Sequence, residues 1–231
     1  MPGASNYEIA LVLDNSGSMN ESVSGNSKIA ALRTAATNFV NTMFNAPFTG
    51  KVKMSIVPFA GRVSVSSGDT SNGSASWIDT QGKSSWHWKT FSGATAAGFT
   101  NRLDIFKNLK SDWVWAGCFE TQPYPQNVND TPPTSATPDT LYVPYLAPDE
   151  VDPKQTCTSW YCSTTPAYQN NYINDTPSSG CSGTAPTDDQ SLTSRSCKYK
   201  SPSVTNTSTS GPNGMCLSQP LMPLSRTVPL R

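Results

Sequence analysis

The densest chemistry in the chain is the run Asp14-Asn15-Ser16-Gly17-Ser18. One carboxylate and two hydroxyls alternate with spacer residues, so a loop curling over itself can aim Asp14, Ser16 and Ser18 at one centre. All three are hard oxygen donors. Such a set suits Mg²⁺, which accepts few protein ligands and keeps several waters, with Mn²⁺ or Ca²⁺ as substitutes. Gly17 lets the turn close tightly. An Asp-x-Ser-x-Ser pattern by itself is also what an ordinary polar loop looks like. Its surroundings separate the two readings.

The run follows directly on residues 8–13, a short apolar stretch with β-branched members that ends at Asp14. Continuous apolarity rather than alternation predicts a strand buried on both faces. After a polar stretch, Ser27 is placed to cap a helix beginning at Lys28. Ile29, Leu32, Ala36, Phe39, Val40 and Met43 recur at spacings of three and four, an amphipathic helix that Asn45-Ala46-Pro47 ends. Residues 52–59 read as a second strand and 61–66 as a third, joined to it by a tight turn. Strand, crossover helix and strand predict a right-handed βαβ unit with a parallel sheet. In such a sheet the loop at the carboxyl end of a strand is where ligands bind.

The 231 residues fit one domain, or one domain with a large insertion. Sixteen basic and sixteen acidic residues cancel, which argues against a nucleic-acid binder working through a basic face. Charged residues are 14% of the chain, against about 25% in an average soluble domain. Ser, Thr and Asn take their place, a composition suited to a protein solvated outside the cytoplasm. No stretch approaches the about 18 apolar residues of a membrane helix, and no signal-peptide core is present. An exported protein would therefore carry its signal on sequence outside these residues.

From about Gly68 the texture changes. Residues 68–100 are rich in Gly, Ser, Thr and Ala, and residues 101–109 could form a short helix. From Cys118 to Cys216 no period of 2 or 3.6 persists. These features predict an irregular insertion over 68–216, held by disulfides and by aromatic anchors such as Trp113, Trp115, Tyr142 and Tyr145, with a return to the first domain over 217–231. Cys118, Cys157, Cys162, Cys181, Cys197 and Cys216 are the disulfide candidates. Their number is even, their spacings are not Cys-x-x-Cys, and with one histidine in the chain a zinc site would have to be nearly all thiolate, so disulfides rank ahead of metal or free thiols. Six cysteines allow fifteen pairings, and the sequence does not choose among them.

Other constellations are weaker. His87, in Trp86-His87-Trp88, is the only histidine any triad could use, and it has no nucleophile elbow nearby. It reads as a packing residue. Asp149 and Glu150 are adjacent and so diverge rather than pair. Asp188-Asp189 reads as a solvated loop, and Arg62 and Arg102 as possible partners of carboxylates.

The segment Leu11-Val12-Leu13-Asp14-Asn15-Ser16-Gly17-Ser18-Met19, with the helix and strand after it, resembles the metal-ion-dependent adhesion site of von Willebrand factor A (vWA) domains. The resemblance covers residues 7–66. It implies a doubly wound, mostly parallel α/β sheet of Rossmann-like type, with Asp14, Ser16 and Ser18 as the first ligand set. It also implies a threonine and an aspartate from two later loops, and an acidic side chain from a partner protein to complete the shell. Neither later loop is found before Arg231, so the expectation is an incomplete vWA domain, residues 1–67 and 217–231, around the insertion.

A narrower resemblance lies in Leu103-Asp104-Ile105-Phe106, Trp115-Ala116-Gly117-Cys118-Phe119-Glu120 and Val143-Pro144-Tyr145-Leu146-Ala147-Pro148-Asp149-Glu150. These segments are similar to the vWA-bearing TadG-like proteins of bacterial tight-adherence (Flp) pilus assembly. That implies a periplasmic or envelope setting, membrane anchoring through sequence outside this chain, and pilus or envelope proteins as partners. The expected function is metal-dependent protein binding rather than catalysis. The alternative is a secreted structural or glycan-binding module whose metal loop does not function.

Overall fold

The computed structural model describes residues 6–45, 47–65, 75–91, 94–95, 97–150, 152, 155–164, 170–175, 196–205, 210–216 and 220–225. The chain divides into two units, residues 1–66 with 216–231, and residues 67–215.

In the first unit β1 (Tyr7–Asp14) leads into a short 3₁₀ turn at Gly17–Asn20. A small ribbon follows, β2 (Ser22–Val23) against β3 (Asn26–Ser27). Helix α1 (Lys28–Phe44) starts where Ser27 Oγ accepts the Ala30 N–H at 3.3 Å. Strand β4 (Val52–Phe59) then pairs parallel to β1 along its whole length, from Tyr7↔Val52 to Asp14↔Phe59.

Two expectations need correction here. Strand β1 is not buried on both faces. Its burial alternates, and Val12 is 62% exposed. The reason is one-sided cover: the cluster of Val40, Val52 and Met54, with Ile9, Leu11, Met43, Phe44 and Phe48 against it, lies on a single face of the strand pair. The other face carries the cross-strand pair Glu8–Lys53 at 2.8 Å. Nor do residues 61–65 form the third strand; residue 66 lies outside the described residues. The free edge of β4 is taken instead by β7 (Met222–Ser225), antiparallel through Met54↔Ser225 and Ile56↔Met222. Ser64 accepts the N–H of Leu221 at 2.8 Å on the way in. A hairpin strand after β4 would need that same edge. Leu217, expected to begin the return, lies outside the described residues.

The second unit departs further from expectation. It is poor in regular structure, with α2 (Arg102–Leu109), the hairpin β5 (Gln155–Cys157) and β6 (Cys162–Thr164), and four short 3₁₀ turns among the described residues. Yet it is not a loop pinned at a few points. Ile78, Phe91, Ala94, Ile105, Phe106, Leu109, Trp115, Leu146, Tyr172, Ile173 and Tyr199 form one buried cluster, against three buried apolar residues in the cluster of the first unit. At about 1.5–3 kcal/mol for each large side chain buried, most of the hydrophobic stabilisation among the described residues lies here.

Helix α2 shows why the packing works. Asn101 Oδ1 accepts the Asp104 N–H at 3.0 Å, and Arg102, Ile105, Phe106 and Leu109 face inward at helical spacing. Elsewhere single bridges replace ladders: Ile78↔Tyr142, Phe119↔Pro144 and Ile173↔Val204. Trp77, Phe119, Tyr142 and Trp115 stack edge-on or tilted, with centroids 4.9 to 5.9 Å apart. Of the expected anchors, Trp115 and Tyr145 are buried, Trp113 packs against the core, and Tyr142 stays 37% exposed.

The fold is thus a mix of helix and strand built on one parallel strand pair. Cys118, Cys157, Cys162 and Cys216 are disulfide-bonded, with Cys157–Cys162 closing the β5–β6 hairpin. Cys181 and the side chain of Cys197 lie outside the described residues.

Candidate metal centre

Asp14 is the last residue of β1, level with Phe59 of β4, and the Asn15 N–H still bonds the Phe59 carbonyl at 2.7 Å. The chain then leaves the sheet and bends back. Asp14 Oδ1 accepts the Ser16 N–H at 2.8 Å, the two-residue turn that aspartate makes readily. Ser16 lies just ahead of the 3₁₀ turn that carries Ser18, and their Oγ atoms stand 3.2 Å apart. The three predicted donors therefore sit together at the carboxyl end of a parallel strand pair.

Two neighbouring corners of an octahedron with Mg–O of about 2.1 Å are about 3.0 Å apart, and with Ca–O of about 2.4 Å they are about 3.4 Å apart. The 3.2 Å separation of Ser16 Oγ and Ser18 Oγ, which hydrogen-bond each other, lies between these two spacings. The backbone and hydroxyl of Ser16 both hydrogen-bond the Asp14 carboxyl and hold its pKa below the ordinary aspartate value. The carboxylate is therefore ionised at neutral pH. Among the described residues no group of three His, Cys, Asp or Glu side chains is placed to hold a metal ion, so a cation here would meet the one carboxylate of Asp14 and two hydroxyls. A small hard cation tolerates that arrangement, and a soft one does not.

Two polar side chains of the second unit, His87 and Arg102, are buried. His87 is fully buried. Its Nε2 accepts the Arg102 backbone N–H at 2.9 Å, so Nδ1 bears the proton and donates it to Asp79 Oδ2 at 2.8 Å. Burial lowers its pKa, against the pull of Asp79. Burial alone would raise the pKa of Asp79, but hydrogen bonds from His87, Ser84 and Lys83 outweigh it and hold the carboxyl low. With both ring nitrogens engaged, His87 is a strut, the packing role its sequence context suggested.

Arg102 does pair with a carboxylate, Glu120, as its sequence reading allowed, and it does so buried. It is 1% exposed and bonds Glu120, His87, Pro144 and Thr90.

Asp149 does diverge from Glu150. It is buried against Lys198, while Glu150 accepts the Asn170 N–H at 3.0 Å near the surface. A lysine 49 residues away leaves no local signal that would have revealed the pair. Asp188 and Asp189 lie outside the described residues. Set against known proteins, the chain matches no family model, no curated protein and no solved structure.

Proposed function

We propose that this chain contributes the metal-holding loop of a vWA-like domain, which binds a partner protein through a divalent cation and is not an enzyme. The observation that carries the reading is the meeting of the Asp14 carboxylate with the Ser16 and Ser18 hydroxyls at the end of β1. Asp14 supplies the charge, and Ser16 and Ser18 hold by their oxygens. A bound Mg²⁺, Mn²⁺ or Ca²⁺ would supply a Lewis-acidic point that an acidic side chain of the partner completes. The setting proposed is the bacterial periplasm or cell envelope, in TadG-like pilus assembly, with anchoring through sequence outside this chain. Disulfide-bonded Cys118, Cys157, Cys162 and Cys216 are compatible with such an oxidising location. Among the described residues no helix is long and apolar enough to cross a membrane.

Calorimetric titration with Mg²⁺ and Mn²⁺ tests this. A site with one carboxylate should bind weakly, with Kd of about 10⁻⁴–10⁻³ M as in charge-poor extracellular modules. Asp14→Ala should abolish the heat while the circular dichroism spectrum stays unchanged. Equal binding by wild type and Asp14→Ala, or none by folded wild type, sinks the reading.

The β5–β6 hairpin favours the alternative, a surface- or glycan-binding module. Its disulfide-closed tip presents Trp160 at 97% and Tyr161 at 70% exposure. Aromatic rings displayed on a stiff turn are suited to stack on a sugar or partner face. Binding that survives EDTA and Asp14→Ala but is lost in Trp160→Ala would select this reading over the first.

A further inference from the structure

Lys198, Asp149 and Asp175 meet inside the second unit almost without solvent, with side chains 3%, 0% and 2% exposed. Lys198 Nζ contacts Asp149 Oδ2 and, at 2.6 Å, Asp175 Oδ1. The other oxygen of Asp149, Oδ1, accepts two backbone N–H groups, from Tyr172 and, at 2.8 Å, from Ile173. Asp175 is fixed in turn, because its Oδ2 accepts the Asp152 N–H at 2.7 Å. Tyr199 Oη accepts the Asp149 N–H at 2.7 Å, and Tyr172 donates its hydroxyl to the Ala147 carbonyl at 2.8 Å.

An ion pair needs only opposite charges. This site has more: an amine against a carboxyl group, a two-amide cradle on the carboxyl oxygen that the amine does not touch, and a second carboxylate on the amine. Those are the parts of an acyl-transfer centre, namely a nucleophile, an oxyanion hole and a proton carrier. We propose that Lys198 and Asp149 join in an intramolecular isopeptide bond, with Asp175 as the catalytic residue that moves the proton.

The step balances. In the buried pair the ammonium proton passes to Asp149 Oδ2, leaving a neutral amine and a neutral acid. The Nζ lone pair attacks Asp149 Cγ, and the negative charge gathers on Oδ1 between the Tyr172 and Ile173 amides. Asp175 takes a proton from the nitrogen and delivers it to the Oδ2 hydroxyl, which leaves as water. One C–N bond forms, one C–O bond breaks, one water is released, and nothing is oxidised or reduced. Asp175 ends in the charge state in which it began.

Two physical terms favour the amide. Burying an ammonium and a carboxylate is costly, and the bond removes both charges. The fold also holds the reactants together, which replaces a bimolecular encounter by a unimolecular one. Burial raises the pKa of Asp149 against the pull of Lys198, which favours the acid form that the reaction consumes.

The test is the mass of the folded, full-length chain after reduction and alkylation of its cysteines. It should fall one water short of the sequence mass. Trypsin should fail to cut after Lys198, giving a branched fragment that joins residues 111–154 to residues 196–200. Lys198→Met and Asp175→Asn should each restore the missing water. A folded wild-type chain of full mass, cut normally after Lys198, overturns the proposal. So does a water deficit that persists in Lys198→Met.

Discussion

Replacing Arg102 by methionine keeps the stem of the side chain and removes its guanidinium. The wild-type group is 1% exposed and fully engaged. Nε bonds the His87 carbonyl at 2.8 Å, Nη1 bonds Glu120 Oε1 at 2.6 Å and the Pro144 carbonyl at 3.2 Å, and Nη2 bonds Thr90 Oγ1 at 3.3 Å. The variant strands two buried carbonyls and a carboxylate that is only 13% exposed. Each orphaned carbonyl costs about 1–3 kcal/mol. Breaking a buried pair from one side costs about 3–5 kcal/mol. These terms overlap, because one guanidinium serves all of them and the vacated space can admit water. The expected loss is therefore about 4–5 kcal/mol, near the upper end of the pair term alone. For a unit of this size that lowers the melting temperature by about 10–15 °C. Arg102→Lys keeps a charge near Glu120 but reaches fewer acceptors, so its loss should be about half as large. Calorimetric melts of the three proteins decide the matter. A loss below about 1 kcal/mol for Arg102→Met, within the range of ordinary surface substitutions, would refute the reasoning that this arginine organises the unit.

Two other outcomes follow from the same unit. His87 is buried neutral with its pKa below 6.5, so the unfolded chain binds its proton first as pH falls. The stability this gives is complete above 6.5 and is lost as pH drops below that value toward the folded pKa. Urea melts at several pH values should show the slope, and His87→Gln should flatten it. Gly82 has φ +65°, and a Cβ there would collide with the Thr100 carbonyl and the Trp88 indole. Gly82→Ala should cost about 2–3 kcal/mol in the same melts, combining a left-handed backbone with a backbone clash.

What the sequence disclosed is what short-range physics determines. Ser27 and the spacing from Ile29 to Met43 define α1 as Lys28–Phe44, and the apolar run of β4 ends at Phe59 as read. The stretch 101–109 read as a short helix is α2, Arg102–Leu109, with Asn101 as its cap. Asp14, Ser16 and Ser18 lie within five residues, so a turn alone can assemble them. The misreadings required knowledge of cover. An apolar strand such as β1 looks the same in sequence whether one face or both meet a partner, and only the position of α1 tells them apart. The third strand failed for a related reason, because β7 arrives from more than 160 residues away and takes the edge of β4.

The second unit hid its core because its backbone is satisfied without ladders. A buried loop must find partners for its amides, and here aspartates provide them. Asp79 accepts the N–H groups of Lys83 and Ser84, Asp139 accepts that of Ser85, and Asp149 accepts those of Tyr172 and Ile173. Asp152 and Asp175 exchange N–H bonds with each other's carboxylates, both at 2.7 Å. Each such residue does locally what a neighbouring strand does in a sheet, and none leaves a periodic trace in the sequence. Buried carboxylates then need cations or protons of their own, which is where Lys198, Arg102 and His87 belong. A chain that is only 14% charged thus places part of that charge inside, where carboxylates fix turns and Arg102, Lys198 and a neutral His87 stand against them as donors. On this view the buried donors matter more to the unit than its surface charges do. Exchanging Lys110, whose contact with Asp112 is exposed, should change little, whereas any exchange at Arg102 or Lys198 should be felt throughout the unit.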